Sequence, residues 1–148
     1  MYLFRYQKDI SLKSHTNMNV KRFIISVLAV FITVYIIDLV FHGFLFESLY
    51  TSTSDMWRGE DDFMMAPMVL SQFGFSLILS YIYIKNYENR GLEEGLRFGL
   101  YFGLLLSVIE IGKFSYLPVP FEIIEAWILV DMVKCLICGV ILSLLYKN

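Results

Sequence analysis

Four long apolar runs separated by short polar segments make up most of the chain. They predict helices over about residues 20–46, 63–85, 91–117 and 121–146, each beyond the roughly 20 residues that carry a helix across a bilayer. Inside every run the polar or small residues recur at three and four, so each helix gathers them on one face. The first run carries Asp38 and His42, four apart, and the second carries Gln72, Ser76 and Ser80. The third carries Gly91, Gly95, Gly99, Gly103 and Ser107, then Glu110 and Lys113. The fourth carries Asp131, Lys134, Cys135 and Cys138. The remaining positions are mostly Leu, Ile, Val and Phe. The expected fold class is all-α: an integral membrane four-helix transmembrane bundle with polar faces inward and apolar faces toward lipid.

So many glycines would weaken a water-soluble helix. In a membrane helix a small residue at every fourth position lets a second backbone approach closely. The stripe Gly91, Gly95, Gly99, Gly103, Ser107 is therefore read as a packing face. Its partner is left open: another helix of the chain, a second copy in a homo-oligomer, or a subunit of a larger membrane complex.

The segments between the runs set domains and orientation. Residues 1–19 form an N-terminal tail, and residues 20–148 one four-span domain. Arg5, Lys8 and Lys13 allow the tail to lie on anionic lipid as an interfacial helix, with a partly ordered tail as the alternative. The first run is too long for a signal-peptide core and is read as a retained anchor. The longest loop, residues 47–62, is expected to hold a short surface helix through Met56-Trp57-Arg58, with Tyr50 and Trp57 in a headgroup belt. Pro67 falls in the first turns of the second run, and Pro118 and Pro120 stiffen the last loop. Arg5, Lys8, Lys13, Lys21, Arg22, Lys85, Arg90, Arg97 and Lys147 fall on one side of such a bundle and Arg58 on the other. By the positive-inside rule both termini are expected in the cytoplasm.

Composition narrows the function classes. Of 148 residues, 57% are hydrophobic, and mean hydropathy is +0.63. Soluble domains sit near 45–50% apolar, and the four runs leave no room for a soluble module. Net charge is −2 and the basic residues do not cluster, which argues against nucleic acid as a partner. No phosphate loop, zinc-protease motif, nucleophile elbow or dinucleotide fingerprint occurs. No catalytic residue, metal ligand set or cofactor is expected, and His15 is read as a surface residue. Cys135 and Cys138 are spaced C-x-x-C beside Lys134, so a membrane thiol redox protein is one reading. The loops hold no cysteine to relay electrons, which favours apolar fillers.

The candidate binding or relay residues are Asp38, His42, Gln72, Glu110, Lys113, Asp131 and Lys134. Counted along each helix at roughly 1.5 Å per residue, Gln72, Asp131 and Lys134 fall near mid-membrane. Asp38, Glu110 and Lys113 fall in the outer third, and His42 near the outer edge. Overlapping depths suggest one shared site, open or nearly open to the outside. Asp38–His42, Glu110–Lys113 and Asp131–Lys134 are also i,i+4 or i,i+3 pairs, so each helix could neutralise its own charge. Intramembrane charges cost about 2.5–3.5 kcal/mol each on insertion scales, which favours a functional role for at least some of them. The expectation is a small solute or ion/proton-coupled transporter or binding protein. The alternatives are a non-catalytic accessory subunit docking through the third span and the thiol redox protein.

His42-Gly43 with Phe46, Met56-Trp57-Arg58, the run Gly91-Leu92 with Gly95-Leu96 and Gly99-Leu100, and the proline loop occur in that order over about residues 20–146. In this the chain loosely resembles small four-helix bacterial membrane proteins of a domain-of-unknown-function type. The resemblance implies a bacterial cytoplasmic (inner) membrane location. It brings no assigned activity, so no functional residue carries over.

Overall fold

A computed structural model describes residues 18–147. The tail expectations for Arg5, Lys8, Lys13 and His15 lie outside the described residues. Five α-helices are present among the described residues, with no strand. They are α1 (Val20–Val40), α2 (Glu47–Thr51), α3 (Met65–Lys85), α4 (Leu92–Lys113) and α5 (Phe121–Leu145). A π-helical turn, Phe41–Leu45, extends α1, so four helices are long and apolar enough to cross a membrane.

The distribution of side chains suits lipid better than water. Ser26, Ser76 and Ser80 are fully buried, and so are Cys135 and Cys138. Leu70 is 71% exposed, and Phe44 and Val108 67% each. An outer surface this rich in Leu, Ile, Val and Phe would be a large association hazard in water. In hydrocarbon it is the solvated face. The four candidate spans thus suggest a membrane protein.

α1 packs on both α3 and α5, while α4 packs most extensively on α5. The small-residue stripe explains that pair. Gly95, Gly99, Gly103 and Ser107 are buried on α4. A Cβ built at Gly95 would run into the carbonyl oxygen of Gly139, and one at Gly99 into that of Cys135. A Cβ at Gly103 would stand 2.7 Å from Met132 Sδ. The two backbones therefore touch, and the stripe is filled within the chain. Gly91 does not share this role. A Cβ there would meet nothing within 4 Å, and its φ of +62° makes it the residue that turns the chain into α4. Between α4 and α3 the large rings of Phe98 and Phe102 fill the space against Tyr83 and its neighbours.

Loops 46–64 and 114–120 share one end of the bundle, here the loop end. The opposite, terminal end holds the start of α1, the turn 86–91 and the C-terminus. There Glu94, buried before the first turn of α4 is complete, accepts backbone N–H bonds from Glu88 and Arg90. The Arg22 guanidinium donates to the Lys147 carbonyl, and Tyr146 packs edge-on against Tyr87.

Helix limits differ from expectation where local chemistry overrides hydrophobicity. The second span starts at Met65, two residues late, because Glu60–Asp62 form a 3-10 turn. The third ends at Lys113, four residues early, as Ser115, Tyr116 and Leu117 bond back to Gly112 and Lys113. The surface helix expected through Met56-Trp57-Arg58 is instead α2, followed by the 3-10 turn Ser54–Met56.

Candidate functional site

The polar residues converge because neighbouring helices run in opposite directions. Side chains lean toward the N-terminus of their own helix. α3 and α5 begin at the loop end, so Gln72, Asp131 and Lys134 lean toward it. α1 and α4 begin at the terminal end, so Asp38, His42, Glu110 and Lys113 lean inward.

The inner part of the site is a charged triad held by three helices. Lys134 Nζ lies 3.1 Å from Asp38 Oδ1 and 2.9 Å from Asp131 Oδ1. Gln72 Nε2 donates to the other Asp38 oxygen at 2.8 Å. Asp38 thus pairs across helices with Lys134 and Gln72, whereas its expected partner His42 turns elsewhere. The fourth-helix pair Asp131–Lys134 forms as the spacing suggests and gains Asp38 as a third member. The side chains of Lys134 and Asp131 are 13% exposed and that of Asp38 20%, so solvent screening is weak.

The outer part is built on α4 and the loop. Lys113 Nζ bonds Glu110 Oε1 at 2.6 Å and stands 5.4 Å from the centre of the Trp127 ring. The second Glu110 oxygen, Oε2, is buried with no partner. His42 Nδ1 meets Tyr50 Oη at 2.6 Å, and Trp127 Nε1 donates to the same hydroxyl at 2.7 Å. Burial raises the Tyr50 pKa, an effect partly offset by the Trp127 hydrogen bond. A cleft of about 220 Å³ is lined by His42, Glu110, Lys113, Trp127 and Asp131, joining the outer part to the triad.

An aromatic cap closes over the cluster. Trp57 packs edge-on against both Tyr50 and Trp127, and its Nε1 donates to Thr53 Oγ1 at 2.9 Å. Leu49, Trp57, Leu117 and Trp127 pack against buried Val119, Ile123 and Ile124, so the proline loop and the long loop are clamped together. Tyr50 and Trp57, expected in a headgroup belt, therefore pack over the site. Sequence reasoning passed over Trp127. Its signal was present: Trp127, Asp131 and Lys134 stand at offsets 0, 4 and 7, one helical face.

The two cysteines are free and face different neighbours. Cys135 lies against Gly99 and Gly103 of α4, and Cys138 sits in the core with Val30, Val34 and Leu79. Among the described residues no three His, Cys, Asp or Glu side chains converge closely enough to hold a metal ion.

With the ionised forms counted, Asp38, Asp131 and Glu110 face Lys113 and Lys134, leaving one negative charge unless His42 is protonated. The arrangement can hold a proton or a small cation, or accept hydrogen bonds from a donor-rich solute. Comparison of the chain with known protein families, with curated proteins and with solved structures found no match.

Proposed function

We propose that the protein is a small membrane transporter or solute-binding protein whose cluster takes up a cation or proton through the loop end. The observation that carries this reading is Glu110 Oε2, a buried carboxylate oxygen without a partner in a cleft already one negative charge in excess. Leaving such an acceptor unmatched costs about 1–3 kcal/mol or more, and a transiently bound donor removes that penalty. Glu110 and Asp38 act as acceptors. Asp131 and Lys134 form the counter-ion pair beneath them, and Trp57 and Tyr50 gate entry from above.

The positive-inside bias puts the terminal end, with Lys21, Arg22, Lys85, Arg90 and Lys147, in the cytoplasm, so the cleft faces outward. A bacterial inner membrane is the setting the sequence resemblance favours. Docking of a second subunit through α4 remains a separate proposal. It would have to use the outer face of that helix, because Gly95, Gly99 and Gly103 are occupied by α5.

The test is flux in proteoliposomes carrying a pH-sensitive dye, over a pH series, with candidate monovalent cations and amines as solutes. Wild-type protein should carry proton- or solute-driven flux that Glu110→Gln and Asp131→Asn reduce. Absence of flux with every solute, or flux indifferent to both substitutions, refutes the proposal.

A further inference from the structure

A second cavity opens sideways and meets the α4 cleft at His42, which lines both. It lies between α1 and α3, has a volume of about 440 Å³, and is within the size range of small-molecule sites. Its apolar walls include Leu39, Phe63, Met65 and Met68, and its polar lining includes Asp38, His42 and Gln72. Leu39, Phe63 and Met65 are exposed on the outer surface, so the mouth faces the region that lipid would occupy.

Two independent features describe the head group that would fit. Gln72 is 8% exposed and gives its amide nitrogen to Asp38, yet its Oε1 is buried and has no partner. Asp38 and Asp131 share one lysine, so with His42 neutral the triad behind the groove carries the cluster's one excess negative charge. An ammonium group supplies both missing elements: N–H donors for Gln72 Oε1 and a positive charge for the triad. A hydroxyl head would satisfy only the first, and a carboxylate head neither. The apolar walls accept a flexible chain, and two methionines allow them to adapt to its shape.

We infer that this groove binds a long-chain amphiphile with a protonated amine head, which enters from the bilayer between α1 and α3. The site shares Asp38 and the excess charge with the transport reading and touches its cleft at His42, but amphiphile binding does not require flux.

The experiment uses the full chain in phosphatidylcholine nanodiscs with three photoreactive probes of one chain length: a dodecylamine, a dodecanol and a dodecanoic acid, each with a mid-chain diazirine. Crosslinks are mapped by peptide mass spectrometry. The amine should label residues 63–72 and the α1 segment around Leu39, with the acid labelling about tenfold less, as a difference of one charge contact allows. Met68→Trp, which fills the groove without touching Asp38, should abolish that labelling while circular dichroism stays unchanged. Gln72→Leu should weaken it. Equal labelling by amine and acid, labelling spread evenly over the outer face of α4, or labelling indifferent to Met68→Trp overturns the inference. Site-specific labelling without flux supports this site and counts against transport alone; flux without labelling does the reverse.

Discussion

Replacing Lys134 with methionine tests whether the triad is a load the fold depends on. The substitution keeps the length and apolar stem of the side chain and removes only the ammonium. At an effective dielectric constant of about 20, a unit pair at the observed 3.1 and 2.9 Å attracts by roughly 5–6 kcal/mol before desolvation is subtracted. Removing one partner of a buried pair typically destabilises by about 3–5 kcal/mol, because the remaining charge is stranded. Here two carboxylates would be stranded, and both side chains are at least four-fifths buried. Lys134→Met should therefore destabilise the protein by about 3–5 kcal/mol, measured by reversible unfolding in mixed micelles. Adding Asp131→Asn should recover roughly half, since one stranded charge disappears. A fully apolar triad, Asp38→Leu with Asp131→Leu and Lys134→Met, should come back close to wild-type stability, as apolar replacements of buried ion clusters commonly do. A loss below about 1 kcal/mol for Lys134→Met alone would show that the contacts carry little energy and would refute the reasoning.

Gly99→Leu drives a side chain into the α5 backbone at Cys135 and should cost about 3 kcal/mol or more, whereas Gly74→Ala, whose Cβ meets nothing within 4 Å, should stabilise α3 by up to about 1 kcal/mol; thermal melts of the two variants in one detergent decide it. Trp57→Ala removes two edge-on ring contacts and the bond to Thr53, so amide exchange over residues 47–57 should speed up and Trp127 emission should shift to the red; unchanged exchange and emission would remove the cap. Tyr50 holds its proton above its ordinary value of 10.0. Below that pH both states are protonated and it contributes nothing. Above it the unfolded chain loses the proton first, so stability falls as pH rises, and Tyr50→Phe should flatten that fall in a pH series of melts.

The four spans were legible because hydrophobic length is a coarse signal that survives one-residue errors. The small-residue stripe of α4 was legible as a packing surface, but its partner was not. Nothing in Gly95, Gly99 and Gly103 alone says that Gly139 and Cys135, more than thirty residues away, supply the facing backbone. Glu110–Lys113 and Asp131–Lys134 form as their spacing suggests, since neighbours on one helix need no tertiary information. Asp38–His42 has equally good spacing and does not pair. Gln72 and Lys134 reach Asp38 from two other helices, and His42, on the π-helical turn, is taken by Tyr50. The cap was the least legible part. Tyr50 and Trp57 carry the composition of an interfacial belt, and nothing in their own sequence says that they also pack on Trp127 of α5.

The opposite directions of neighbouring helices bear on why the charges stand where they do. Counting along each helix separates Asp38 from Lys134 in depth, yet their side chains touch, because one leans inward from α1 and the other leans toward the loop end from α5. A parallel arrangement of the same two helices would pull these groups apart. The close α4–α5 contact then fixes the other side: with Gly99 and Gly103 against Cys135 and Met132, α4 comes near enough to α5 for Lys113 to reach the Trp127 ring. Widening that interface by one side chain would draw Glu110 and Lys113 away from Asp131 and open the cleft from the side. The glycine stripe and the polar cluster are thus one structural decision. Substitutions along the stripe should alter solvent access to the cluster even where Glu110, Lys113, Asp131 and Lys134 are untouched.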